Sequence, residues 1–209
     1  MRNNTLFCLG LIGLSLTLGG HLCAQEKPAE KGSASVAAAA PTSGARAEFL
    51  NELDYFESRF TKLTGAVPAD KFTWRPGEGV RSVSEVYLHV CAANFNLTRL
   101  IGTQPPAGLD VRGLEKSTTD KARILQTLKD SFAHMRNAVL ILSDADVEKK
   151  LTLFGKETTY RGAMIFILRH LGEHLGQSIA YARLNGVVPP WTEEQQRQQQ
   201  QKSADKPKP

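Results

Sequence analysis

Two histidines stand four residues apart in the stretch RHLGEHLGQSIAYARLNGVVPPW, from Arg169 to Trp191. Four residues advance an α-helix by about 400°, one turn plus about 40°, so His170 and His174 lie one above the other on a single face. Ala163, Ile167, His170, His174, Gln177 and Tyr181 alternate at spacings of four and three, and Met164, Leu168, Leu171, Leu175, Ile179 and Ala182 form a second stripe beside them. Arg161, Arg169, Glu173, Gly176 and Arg183 fall on the opposite side. The inward surface therefore turns polar in its C-terminal half. Burying such groups without partners costs about 1–3 kcal/mol each, so the seam needs compensation. A metal ion supplies it, since two imidazoles at this spacing can chelate one ion from one face. Ordinary hydrogen bonds are the alternative.

A third ligand must come from elsewhere. His89 lies three residues after Val86 and four before Ala93, flanking the apolar stripe of a second helix, with Ala92 and Ala93 leaving room around it. His89, His170 and His174 could thus converge between two helices, giving three neutral nitrogen ligands and an open position, the pattern of a catalytic rather than a closed structural metal site. Zn²⁺ and Ni²⁺ both suit such a donor set. His134 is expected to face solvent, about 200° from Phe132 on its helix. Cys91 is about 200° from His89, cannot share an ion with it, and reads as a small buried hydrophobe. Gln177 and Tyr181 are expected to support the histidines or face a substrate, or else to fill the end of the bundle. Glu173 points outward and is not read as a base. No catalytic residue beyond the ligands is assigned.

Four amphipathic segments must position these groups. Phe49, Leu53, Phe56, Phe60 and Leu63 mark the first; Val83, Val86, Val90, Ala93, Leu97 and Leu100 the second; Leu125, Leu128, Phe132, Met135, Val139 and Leu142 the third. The fourth runs from about Thr159 to Leu184. Ser82-Val83-Ser84-Glu85 is a capping box, and Ser117-Thr118-Thr119-Asp120 offers a start for the third helix. Asn185-Gly186 ends the fourth, and Pro189-Pro190 stops it from resuming. No strand is evident. The expected fold is all-α, a four-helix bundle with one long crossover-type connection, Gly102 to about Lys116, passing across the end of the bundle. Trp74 and Trp191, at the ends of the helical region, are assigned to packing.

Residues 1–24 have the layout of a secretory signal: one basic residue, a short apolar run, and small residues before Gln25. The run is too short for a comfortable membrane span. Residues 25–44 read as a flexible linker, residues 45–192 as the folded domain, and residues 193–209 as a disordered polar tail. The expected location is outside the cytosol, periplasmic or secreted. Cys8 and Cys23 leave with the signal, so Cys91 remains alone and no internal disulfide is available. The formal charge of +5 is mild and scattered, which argues against a nucleic-acid partner.

Two blocks carry a resemblance to a known family. One runs from Trp74-Arg75-Pro76 through Val80-Arg81-Ser82-Val83-Ser84-Glu85 to His89, Ala93 and Asn94. The other is HLGEHLGQ, His170 to Gln177, followed by YARLNGVVPP, Tyr181 to Pro190. Over about Ala45 to Trp191 the chain resembles the DinB-like superfamily, four-helix bundles with a three-histidine metal site. The resemblance implies that His89, His170 and His174 hold a divalent ion, that the bundle has an unusual crossover, and that a homodimer is possible. Taken with the signal segment, the expected function is an exported metal-dependent hydrolase or thiol S-transferase, thiol transfer being what the resemblance implies, that activates water or a thiolate on an unidentified small molecule. A non-catalytic metal- or ligand-binding module is the alternative.

Overall fold

The computed structural model describes residues 40–204. Residues 1–24, read above as a signal, most of residues 25–44 and the last five residues lie outside the described residues. Five α-helices and one hairpin follow in order: α1 Gly44–Ala66, α2 Val83–Leu97, α3 Lys121–Leu140, β1 Lys150–Leu153, β2 Lys156–Thr159, α4 Tyr160–Leu184 and α5 Pro190–Ala204. Among the described residues no helix is long and apolar enough to cross a membrane.

Helices α1 to α4 form the expected bundle. Each of α1 and α2 packs against both α3 and α4. Side-chain pairs give the directions. Asn94 bonds Ser131 and Thr98 bonds His134, so α2 and α3 run parallel. Arg136 meets Glu57 and Arg46 reaches the carbonyls of Val139 and Leu140, so α1 and α3 run antiparallel. Phe49 shares a groove with Met164, and Phe56 lies against Gly172, so α1 and α4 run parallel. The chain can join parallel α2 and α3 only by returning along the bundle. Segment 102–120 does so: its short 3-10 turn Leu114–Lys116 packs on α2, and Glu115 reaches back to Arg81. The crossover therefore runs along the side of α2, not across the end of the bundle as the sequence suggested.

The stripes of α1 are buried as expected, with Leu53, Phe60 and Leu63 wholly inaccessible. On α3 the register shifts by one residue at the start: Ile124, not Leu125, is inaccessible, followed by Leu128, Phe132, Met135 and Val139. Helix α2 is buried around most of its circumference, including Tyr87, Leu88, Cys91 and Phe95, because α3, α4 and the crossover cover different sides of it. A single stripe could not describe it, and Ala93, Leu97 and Leu100 are only half-buried. Phe60 contacts both Phe132 and Tyr87 at ring separations of 6.0 and 6.4 Å, tying α1, α2 and α3 together.

The helix ends obey local chemistry. Ser82 and Glu85 form the full capping box, with Glu85 N–H donating to Ser82 Oγ and Ser82 N–H donating to Glu85 Oε2 at 2.7 Å. Asp120 caps α3 through Arg123 N–H. Helix α4 stops at Asn185, and Gly186, at φ +74°, turns the chain so that Val187 N–H reaches the Ala182 carbonyl.

Two expectations fail. A strand pair exists: Lys150–Leu153 and Lys156–Thr159 pair antiparallel around a Phe154-Gly155 turn. Leu151 and Leu153 point one way and are half-buried, a period of two too short to stand out from the helical pattern. The tail is helical as far as Ala204, not disordered from residue 193. Pro190 stops α4 from resuming yet opens α5, where its missing N–H is not needed. Trp191 anchors the start of α5 beneath the Arg59 guanidinium, 4.3 Å from its ring centre.

Ser82→Ala is expected to lower unfolding stability by about 1 kcal/mol, the usual value of an N-cap. Phe132→Ala should cost about 3–5 kcal/mol through the cavity it leaves. Urea denaturation of the two variants checks both values; equal losses would contradict this account of the core.

Candidate metal centre

Helices α2 and α4 bring His89, His170 and His174 together. One ring nitrogen from each lies within 4.8 Å of the other two. The ring centres are 4.5 to 5.3 Å apart. Each imidazole is half-buried. The antiparallel crossing of α2 and α4 sets this meeting, because one turn of α4 presents two rings to the single ring of α2.

Hydrogen bonds orient two of the rings. Glu115 Oε2 lies 2.9 Å from His89 Nδ1, so the carboxylate accepts the Nδ1–H hydrogen bond and leaves the Nε2 lone pair facing the cluster. Gln177 Oε1 lies 2.9 Å from His174 Nδ1, while Gln177 Nε2 donates to the Tyr181 hydroxyl at 3.1 Å. The Gln177 amide is thereby fixed with its oxygen toward His174. Ser178 Oγ donates to the His174 carbonyl at 2.8 Å. His89 Nε2 and His170 Nε2 are 3.2 Å apart, and His170 Nδ1 is buried with no partner among the described residues. Two lone pairs at that distance repel unless a proton or a cation lies between them.

Burial keeps His89 and His170 neutral. Burial, then the neighbouring His174 and His89, pushes the His170 pKa down to about 4. Burial also lowers that of His89; the Glu115 bond opposes this but does not overcome it. Burial raises the Glu115 carboxyl, but hydrogen bonds from Arg81 and His89 outweigh it and hold the group below its ordinary value. The Arg81 guanidinium grips both Glu115 oxygens, at 2.8 and 3.2 Å. Neutral imidazoles carrying free lone pairs are what a divalent cation requires. Two nitrogens bound to one tetrahedral Zn²⁺ at its usual bond length stand about 3.3 Å apart, close to the separation of the His89 and His170 nitrogens. The donor set therefore fits such an ion.

A pocket of about 740 Å³ opens beside the cluster, walled by α2, α4 and the crossover, with His89 and His170 in its lining. Gln177 and Tyr181 do not line it. Gln177 supports His174, and the Tyr181 ring packs edge-on against Trp74, 5.4 Å away. Glu173 is exposed and pairs with Arg169. Cys91 is fully buried, and burial has its thiol pushed up to about 12. His134 does not face solvent freely: Thr98 Oγ1 is 3.0 Å from its Nε2 and Phe95 packs against its ring. The 3-10 turn Thr98–Ile101 after α2 carries Thr98 to it.

Sequence reasoning missed Glu115. It sits in the crossover, 26 residues from His89, with no periodicity to mark it. Its only signal was its place in a connection too long for a hairpin.

A helical bundle of two antiparallel and parallel pairs, with three inward imidazoles, defines the class. The DinB superfamily model matches residues 52–178, and the chain belongs to that superfamily. Its fold is similar to a DinB-like protein from Bacillus cereus, with TM-score 0.60 and 16% identity over 68% of this chain and 93% of the other. A DinB-like protein from Bacillus subtilis gives TM-score 0.53 at 14% identity, covering 68% and 94% of the two chains. A protein assigned to the DinB family from Exiguobacterium sibiricum gives 0.54 at 18%, covering 70% and 95%. No curated protein gives a significant match.

Glu115→Ala removes the acceptor of both Arg81 and His89. Amide hydrogen exchange at Leu109 to Leu114 is expected to rise, while that of Phe132 to Val139 stays unchanged. Unaltered exchange in the crossover would show that Glu115 does not hold it.

Proposed function

We propose that this DinB-superfamily chain is an exported metal-dependent enzyme, a hydrolase or thiol S-transferase, acting on a small molecule that enters the pocket beside His89 and His170. The observation that carries this reading is the convergence of three imidazoles, two of which, His89 and His170, line an open pocket. A closed structural site would have no such opening. His89, His170 and His174 are the assigned ligands, and Zn²⁺ or Ni²⁺ is the assigned ion. When bound, such an ion lowers the pKa of a water or thiol beside it and so supplies a nucleophile at neutral pH.

The protein residues do the rest. Glu115 holds the His89 proton on Nδ1 and fixes the ring's direction; Gln177, fixed in turn by Tyr181, does the same for His174. These contacts resemble the supports whose removal costs about 10–100-fold in metal affinity. The export reading rests on residues 1–24. It favours hydrolysis over thiol transfer, because low-molecular-weight thiols are mainly cytosolic.

Elemental analysis of untagged protein purified without chelators tests the proposal. About one Zn or Ni per chain is expected, and His170→Ala should lose it. Loaded protein should then turn over at least one member of a panel of esters, amides and thiol acceptors, in a metal-dependent way. Wild-type protein that takes up no Zn²⁺ or Ni²⁺ would sink the proposal; bound metal without turnover would leave a binding module.

A further inference from the structure

The pocket beside the histidines carries charge that the protein leaves unneutralised. His89, Ala92, Asn96 and Arg99 succeed one another at spacings of three and four along α2 and its 3-10 extension, and all four line the pocket. At the helical rise, His89 and Arg99 are about 15 Å apart along that wall. Arg112, from the crossover, lines the same space. Among the described residues neither the Arg99 nor the Arg112 guanidinium has an ion-pair partner, whereas Arg81 is neutralised by Glu115. The pocket's one carboxylate, Asp110, is turned to its own loop, where Oδ1 accepts the Gly113 N–H at 3.0 Å. Two free guanidiniums in a cleft with apolar walls concentrate anions there.

The apolar walls are Leu109 and Val111 from the crossover and Phe166 from α4. The Phe166 ring is held from outside the pocket. Phe154 meets it edge-on with ring centres 5.3 Å apart, and the Arg169 guanidinium lies 5.0 Å from it. Phe154 is itself unusual: its φ is +50°, in the left-handed region that a bulky residue rarely adopts, and it is 79% exposed. The two-residue turn between β1 and β2 sets that angle, and from it the Phe154 ring reaches Phe166.

We propose that this pocket takes an amphipathic organic anion, a small molecule carrying a carboxylate or phosphate monoester on an aromatic or aliphatic body. The anionic group pairs with Arg99 and Arg112, the body lies against Phe166, Leu109 and Val111, and the other end reaches the histidines. Only that last contact rests on the enzymatic reading above; the anion and its body depend on residues that hold no metal.

Calorimetric titration with three matched probes tests this: 4-phenylbutyrate, 4-phenylbutyl phosphate and the uncharged 4-phenylbutanamide. Titrations are run on purified protein at low salt, once with a chelator and once with added Zn²⁺. Without metal, at least one anion is expected to bind about tenfold or more tightly than the amide, the scale of a charge-assisted contact. The tighter anion identifies the group. A combined Arg99→Gln and Arg112→Gln variant should abolish the preference with an unchanged melting temperature, and Phe166→Ala should weaken all three probes. Equal binding of amide and anions, no saturable binding of any probe, or a preference that survives in the double variant would overturn the proposal. The chelated arm keeps this outcome separate from that of the metal analysis.

Discussion

Helices α2 and α3 run in the same direction, and a chain can connect such neighbours only by travelling back along the bundle between them. That constraint organises the site. The returning segment lies against α2, delivers Glu115 to His89 and Arg81, and supplies Leu109, Val111 and Arg112 to the pocket wall. A tight antiparallel hairpin would have left His89 without its carboxylate and the pocket without one of its sides.

The cluster illustrates how a bundle accommodates polar side chains in its interior. His170 stays neutral because burial and two adjacent imidazoles make a further charge unfavourable. His89 sits beside a carboxylate that would ordinarily favour its protonation, yet burial outweighs that carboxylate and Arg81 pairs with it. The result at His89 and His170 is a pair of ring nitrogens with no positive charge of their own to repel a cation. His174 gains its direction from a chain of uncharged groups, Gln177 and Tyr181, which position it without adding charge.

Much of this was legible in the sequence. The helical stripes of α1 and α4, the capping box at Ser82 and the Asn185-Gly186 stop were readable because they depend on neighbours within a turn or two. The HxxxH pair was readable for the same reason, and His89 because it flanks an apolar stripe with small residues beside it. What escaped depends on distant contacts. Glu115 acquires its role from a loop path, His134 its hydrogen bond from a 3-10 turn on another helix, and Leu125 yields to Ile124 because packing, not periodicity, sets the final register. The hairpin was too short for its alternation to stand out. Helix α5 arises in a sequence with little to bury beyond Trp191, whose ring rests under an α1 arginine.

The burial of Cys91 has a practical consequence. Its sulfur is the only one of its kind among the described residues, lies sealed within α2, and keeps its proton well above neutral pH. Thiolates, not thiols, enter disulfide exchange and alkylation. Cys91 is therefore a poor site for mixed disulfides or alkylation in the folded bundle. A thiol consumed in the presence of the folded bundle would not be lost to a disulfide with Cys91.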